Sequence, residues 1–286
     1  MSGVLSVTRD WLKPENIFRF FKYAIYALLA YNAFLFFGED LAASAETYGD
    51  TITWRNVIEA YSASIDTTAW VMLLLLFELE TAVLPDHLLN GPLKWVLKVL
   101  SAVAYFFIVY SFYGYCVKYS IVADVSAFNI TDVCSLIGTE FTWVESLDEY
   151  LPLDQASCTA MNGQALMQIN GTEIIGTQEA LAEAKHLSTI DIINAGDWLI
   201  IVLLLEIEVW MQARNRLTAK MMAASKYTKG FFYMVLFFCA AYWGVEGSFL
   251  DFWDAFLWLV AFLFIELNIF RWHAETEEEK EHLMKV

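Results

Sequence analysis

The chain has 286 residues, of which 58% are hydrophobic and 18% charged. A soluble domain has about 45–50% and about 25% respectively, so the balance is shifted toward a membrane protein. The formal net charge of −17 comes with no Lys/Arg-rich face to meet phosphates, which excludes nucleic-acid binding.

The apolar excess falls in blocks of about 20 residues, the length a helix needs to cross a bilayer. The start, MSGVLSVTRDWLKPENIFRFFKYAIY, runs polar and basic straight into the first block, Phe18–Phe37. It therefore reads as a retained span and not as a cleaved signal. The amphipathic stretch Trp54–Ile65 leads into a second span, Thr67–Leu84, and Trp95–Val117 is the third. Lys118–Thr189 is the one long polar interruption. It holds Cys134 and Cys158, whereas Cys116 and Cys239 fall inside spans. In an oxidising compartment Cys134 and Cys158 are expected to form a disulfide. Asn129-Ile-Thr and Asn170-Gly-Thr fit the glycosylation pattern, which matters only in a eukaryotic secretory route. Thr177–Thr189 reads as a short helix leading into span 4, Ile190–Met211. Span 5 centres on Phe231–Trp243 and needs Tyr227–Phe249 for a full crossing; span 6 is Phe252–Phe270. The end, AETEEEKEHLMKV, reads as a solvated helical tail without chemistry.

Lys and Arg in the flanks set the orientation. Fourteen of the 17 basic residues fall on one side, and only Arg55, Lys118 and Lys185 on the other. That predicts both termini in the cytoplasm. Of the carboxylates outside the spans or at their ends, 21 lie on the external side and 8 on the cytoplasmic side. Such a face either collects acids that translocate freely or forms a vestibule that concentrates cations.

The expected fold is all-α: a six-helix polytopic transmembrane bundle, N-in and C-in. Residues 1–117 hold the first hairpin and span 3, 118–189 a small disulfide-bonded external loop domain, 190–271 spans 4 to 6, and 272–286 a cytoplasmic tail. The even spans share a pattern. Trp70, Trp198 and Trp258 are each followed by seven apolar residues and then Glu78, Glu206 or Glu266. Glu80, Glu208 and Asn268 stand two residues further on. Three repeated helical hairpins account for this pattern. Asp66, Asp197 and Asp254, beside the tryptophans, read as helix N-caps.

A carboxylate in the hydrocarbon costs about 2.5–3.5 kcal/mol and usually faces the bundle interior. Residues i and i+2 on a helix point about 200° apart, so the members of each Glu pair cannot share one cavity. Two readings of Glu78, Glu206, Glu266, Glu80, Glu208 and Asn268 follow. In the first they bind or relay cations: protons, Na⁺ or a divalent metal. In the second they pair with Lys22, Lys98 and Lys229 at the ends of the odd spans, locking helices together or docking a partner in a non-catalytic scaffold or assembly subunit. A reactive metal site is disfavoured because no Glu-x-x-His pair occurs, and His87, His186, His273 and His282 read as interfacial. No nucleophile elbow, phosphate loop, CxxC pair or haem spacing is present, so enzymatic activity is not expected, and neither metal nor cofactor is assigned. The expected partners are the lipid bilayer and a second copy or a membrane subunit. The expected location is a bacterial inner membrane or another plasma membrane.

Overall fold

Long helices form where the apolar blocks lie, and most run beyond them. The structure, a computed structural model, describes residues 14–48, 52–53, 56–85, 91–214, 216 and 218–264. Helix α1 spans Pro14–Tyr48. The short α2, Val57–Ala60, is followed at once by α3, Ser62–Glu78. A π-helical turn, Leu79–Val83, ends α3, and Pro85 follows it, which a helix cannot readily absorb. Helix α4 covers Pro92–Ala123, with Gly91 as its cap and Pro92 in its first turn, where a missing N–H is harmless. Helix α6 runs Gln178–Ala213, α7 Ala219–Glu246 and α8 249–264.

Four of these are long and apolar enough to cross a membrane: Asn16–Tyr48, Ser62–Thr81, Pro92–Ala123 and Lys220–Glu246. That is the make-up of a membrane protein. The other two expected spans fall in α6, which carries Asp191, Asp197, Glu206 and Glu208 within the apolar stretch, and in α8, described only to Phe264. Burial follows the helical period. In α4 it falls on Leu97, Ala104, Ile108, Ser111, Gly114, Lys118 and Val122, a single stripe. The opposite face exposes Phe106 and Val109, at 62% and 57%. Exposed apolar surface on this scale suits lipid and not water. One apolar cluster joins residues of α1, α3, α4, α6, α7 and α8, among them Leu29, Leu74, Ile108, Ile201, Leu236 and Leu257.

The loop segment departs from the all-α expectation. It folds into a five-stranded sheet of order β1-β4-β5-β2-β3, formed by Val125–Phe128, Leu166–Ile169, Ile174–Thr177, Thr142–Ser146 and Glu149–Pro152 in that spatial order. Pairing is antiparallel except between β2 and β5, where Thr142 meets Ile174 and Trp143 meets Ile175. Val144, Ile169 and Ile174 pack with Val122, Leu181 and Ala184, so one apolar cluster rests on the ends of α4 and α6. A second gathers Val133, Leu153, Cys158, Met161, Leu166 and Ile175 beneath α5, Gln155–Met161. Asp154 caps α5 by accepting from the backbone N–H groups of Ala156 and Ser157. Those bonds favour its charged form and hold its carboxyl below the ordinary range. The expected disulfide forms: Cys134 and Cys158 lie 4.9 Å apart at Cα. Cys116 and Cys239 are free thiols.

One expectation about a lysine needs correction. Lys118 does not open the loop segment; α4 continues to Ala123 and buries it.

Two outcomes are expected. Closing the 24-residue separation should stabilise the sheet segment by about 2–4 kcal/mol, so Cys134→Ser should bring early proteolysis within residues 125–177 while the long helices stay protected. Limited proteolysis with mass mapping reads this out. At Gly114 a Cβ would stand 2.8 Å from the Ile58 carbonyl oxygen and 3.1 Å from Ser62 Cβ. Gly114→Val should therefore lower stability by about 1–3 kcal/mol in a thermal melt, and an unchanged melt would show that α2 yields freely.

Candidate functional site

Three long helices carry the same stripe of residues. Counting back from Trp70 in α3, Trp198 in α6 and Trp258 in α8, the residues four and seven earlier are Asp66 and Ala63, Asn194 and Asp191, and Asp254 and Asp251. At 3.6 residues per turn each set lies on one helix face. All nine line one cavity of about 650 Å³ at the sheet end of the helices. Helix α1 adds Glu39 and Asp40, α4 adds Tyr115 and Lys118, and the β2–β3 hairpin adds Asp148, Glu149 and Tyr150.

The tryptophans meet on the far side of the cavity from the sheet. The Trp70 ring centroid is 6.1 Å from that of Trp198 and 6.2 Å from that of Trp258. Phe262 stacks into the same layer, 4.4 Å from Trp198. Since a helix rises 1.5 Å per residue, each carboxylate or amide stands about 6 Å above its tryptophan. The result is an acidic chamber on an aromatic floor.

The chamber's polar groups are held from several elements. The Lys118 ammonium donates to Asp148 at 2.7 Å. Asn32, buried in α1, donates its amide N–H to Asp254 at 2.8 Å. The Tyr115 hydroxyl donates to Asp66 at 3.4 Å, and the Ser64 backbone N–H to Asp40 at 2.8 Å. Ser248 donates its hydroxyl to Asp251 at 2.8 Å. Asp148 sits at φ 65° in the β2–β3 turn, a conformation that suits glycine better. The strain is kept where the side chain reaches Lys118. Burial, reinforced by the charge of Asp148, raises the Tyr150 hydroxyl above its ordinary range, so it lines the chamber as a neutral donor.

Eight carboxylates and one lysine face this space. Two like charges 8 Å apart repel by about 2 kcal/mol at an effective dielectric near 20. Carboxylates that Lys118 does not neutralise must hold protons or attract cations.

The glutamates expected to form the site lie elsewhere. Glu78 is eight residues past Trp70, about 12 Å further along the helix. It is 3% exposed and accepts from the Lys22 ammonium at 2.5 Å and from the Tyr23 hydroxyl at 3.0 Å. Glu206 is exposed and accepts from the Tyr105 hydroxyl at 2.8 Å. Glu208 pairs with Lys229 at 2.8 Å. The lysine pairing expected for Glu206 is thus replaced by tyrosine, and the Lys98 ammonium lies 5.8 Å from the Trp95 ring centroid instead. Glu80 is half-buried in the π turn. Glu266, Asn268, His87, His273 and the acidic tail lie outside the described residues.

The aspartates beside the tryptophans are not N-caps. Asp66, Asp197 and Asp254 all lie inside helices. Asp66 and Asp254 face the chamber. Asp197, 5% exposed, has a carboxylate oxygen without a hydrogen-bond partner, and its place in the stripe is taken by Asn194. The signal was present in the sequence, upstream of the tryptophans and not downstream. Among the described residues no group of three or more His, Cys, Asp or Glu converges closely enough to hold a metal ion. No known protein family, curated protein or solved structure matches the chain.

The buried Lys22–Glu78 pair makes a direct prediction. Glu78→Gln strands a lysine that is 6% exposed, at a cost of about 3–5 kcal/mol. The melting temperature of the solubilised protein should fall, and adding Lys22→Met should recover most of the loss. A wild-type melt for Glu78→Gln would show that the pair contributes nothing.

Proposed function

We propose that the protein is an integral membrane protein of a plasma membrane, bacterial inner or equivalent, that binds cations from outside in the acidic chamber. The observation that carries this reading is the lining: eight carboxylates against one lysine in a cavity of about 650 Å³. The sheet end is taken as external because basic residues gather at the opposite ends of the spans, and both termini then lie in the cytoplasm. Six spans arranged as three hairpins fit the shared stripe in α3, α6 and α8. A net negative cavity with low-dielectric walls concentrates cations ahead of any specific contact.

Binding is favoured over free conduction. The layer of Trp70, Trp198, Trp258 and Phe262 separates the chamber from Glu78, whose charge Lys22 neutralises. Any onward path would have to pass that layer and use the deeper set: Glu78, Glu206, Glu266, Glu80, Glu208 and Asn268.

A second reading, a membrane scaffold or assembly subunit, draws on the Lys22–Glu78 and Lys229–Glu208 pairs, which tie neighbouring helices together. A partner subunit or second copy would then dock on the bundle. The two readings differ at the chamber. For the full chain in lipid nanodiscs, at constant ionic strength and neutral pH, saturating cation at about 100 Kd should stabilise folding by about 2.7 kcal/mol. Na⁺, Mg²⁺, Ca²⁺ and organic ammonium ions form the panel. The stabilisation should shrink in Asp66→Asn and Asp254→Asn and persist in Lys229→Met. If no cation on the panel shifts the wild-type melt, the scaffold reading stands in its place.

A further inference from the structure

We infer that the chamber's ligand is an organic di- or polyamine and not a bare metal ion, an inference that rests on the cation-binding reading above. Five observations point the same way. The carboxylates are spread around the wall and do not converge; among the described residues no set of three could share one metal ion. A metal ion needs several oxygens within about 2.0–2.6 Å of one point, whereas separated carboxylates match positive charges separated along a carbon chain. The cavity, about 650 Å³, is of the size that holds small organic molecules, roughly 300–1,000 Å³.

The floor is aromatic. Trp70, Trp198 and Trp258 offer ring faces and edges beneath the acids, surfaces that take methylene chains and ammonium groups together.

The chamber already holds one alkylammonium: the Lys118 side chain enters from α4, is buried, and places its ammonium on Asp148 at 2.7 Å in the field of Asp40 and Asp191. A four-carbon chain ending in NH₃⁺ is therefore chemistry this cavity accommodates.

Two buried polar groups on the wall are left without a hydrogen-bond partner by the protein itself. One is Asn194 Oδ1, an acceptor. The other is the indole N–H of Trp243, a residue 6% exposed, which is directed at Asp191 without closing a hydrogen bond. A polyamine ammonium supplies an N–H donor for Asn194 and another for the Asp191 carboxylate, which the indole N–H leaves without a closed bond. Buried acceptors that are left unmatched cost free energy, so a ligand that meets both is selected over one that meets neither.

The test is calorimetric titration of the full-length protein in nanodiscs at fixed ionic strength, with spermidine, 1,4-diaminobutane, butylamine and Mg²⁺ as probes. Spermidine should bind most tightly, the diamine about tenfold more weakly, and butylamine about tenfold more weakly again, each step being about 1.4 kcal/mol. Asp254→Asn should weaken spermidine at least tenfold. Glu149→Gln, an exposed position at the chamber mouth where folding is not at stake, should weaken it several-fold. Spermidine affinity unchanged in both variants, or Mg²⁺ binding as tightly as spermidine, would overturn the inference. Mg²⁺ or Na⁺ binding that is lost in Asp254→Asn, with no spermidine binding, would sink the polyamine and leave the cation-binding reading intact. No binding of any probe would sink both.

Discussion

Uncompensated negative charge inside a helical bundle is the constraint on which the rest of the structure depends. Taking a carboxylate out of water costs several kcal/mol, and the cost is recovered only through good geometry and further hydrogen bonds. Four of the chamber's acids, Asp254, Asp66, Asp40 and Asp251, are met in this way, and their donors are neutral: an amide from Asn32, a hydroxyl from Tyr115, a backbone N–H from Ser64 and a hydroxyl from Ser248. Neutral donors solvate charge without cancelling it. Lys118 is the single cation of the lining.

The opposite end of the bundle solves the same problem differently. Glu78 and Glu208 each take a lysine, and side-chain exposure at these pairs is 20% or less. The tryptophan layer separates the two regimes. Above it, charge is unbalanced in a space large enough for a ligand; below it, Glu78 and Glu208 are balanced by packed lysines. Glu78, Glu206 and Glu208, which draw attention in the sequence, thus have settled partners in the structure.

Much of this was legible in the residues. Apolar blocks gave the long helices, and the spacing of Cys134 and Cys158 in the polar segment gave the disulfide. The shared tryptophans drew attention to α3, α6 and α8, and Trp70, Trp198 and Trp258 line one cavity. The external excess of acids points to a vestibule, but its lining residues stand upstream of the tryptophans, on the side away from the glutamates. Asp66 and Asp254 stand four residues before a tryptophan, where an acid near a helix start is usually a cap, and nothing local distinguishes a cap from a lining residue. The sheet was missed for another reason. Its strands are four or five residues long, too short for an alternating pattern to emerge, and β2 pairs with β5 across 31 intervening residues at Trp143 and Ile175. Lys118 was misplaced because a lone lysine after an apolar run looks like a loop boundary; only the packing of the β2–β3 hairpin onto α4 buries it.

That hairpin links the sheet to the chamber. Asp148 is the residue with positive φ at its tip, and the same side chain neutralises the chamber's lysine. Glycine would fit the backbone there without strain, so the aspartate is held by what its carboxylate does. Without it the Lys118 ammonium would be left with the fields of Asp40 and Asp191, and the β3 end of the sheet would lose its charged contact with α4. The sheet segment is thus part of the chamber and not an appendage to it. Its tip supplies the counter-charge, its rim residue Glu149 stands at the mouth, and Tyr150 closes the wall with a neutral hydroxyl. A bundle of α1, α3, α4, α6, α7 and α8 alone would leave the acids open on one side. The disulfide-tied sheet turns that open acidic end into a bounded site.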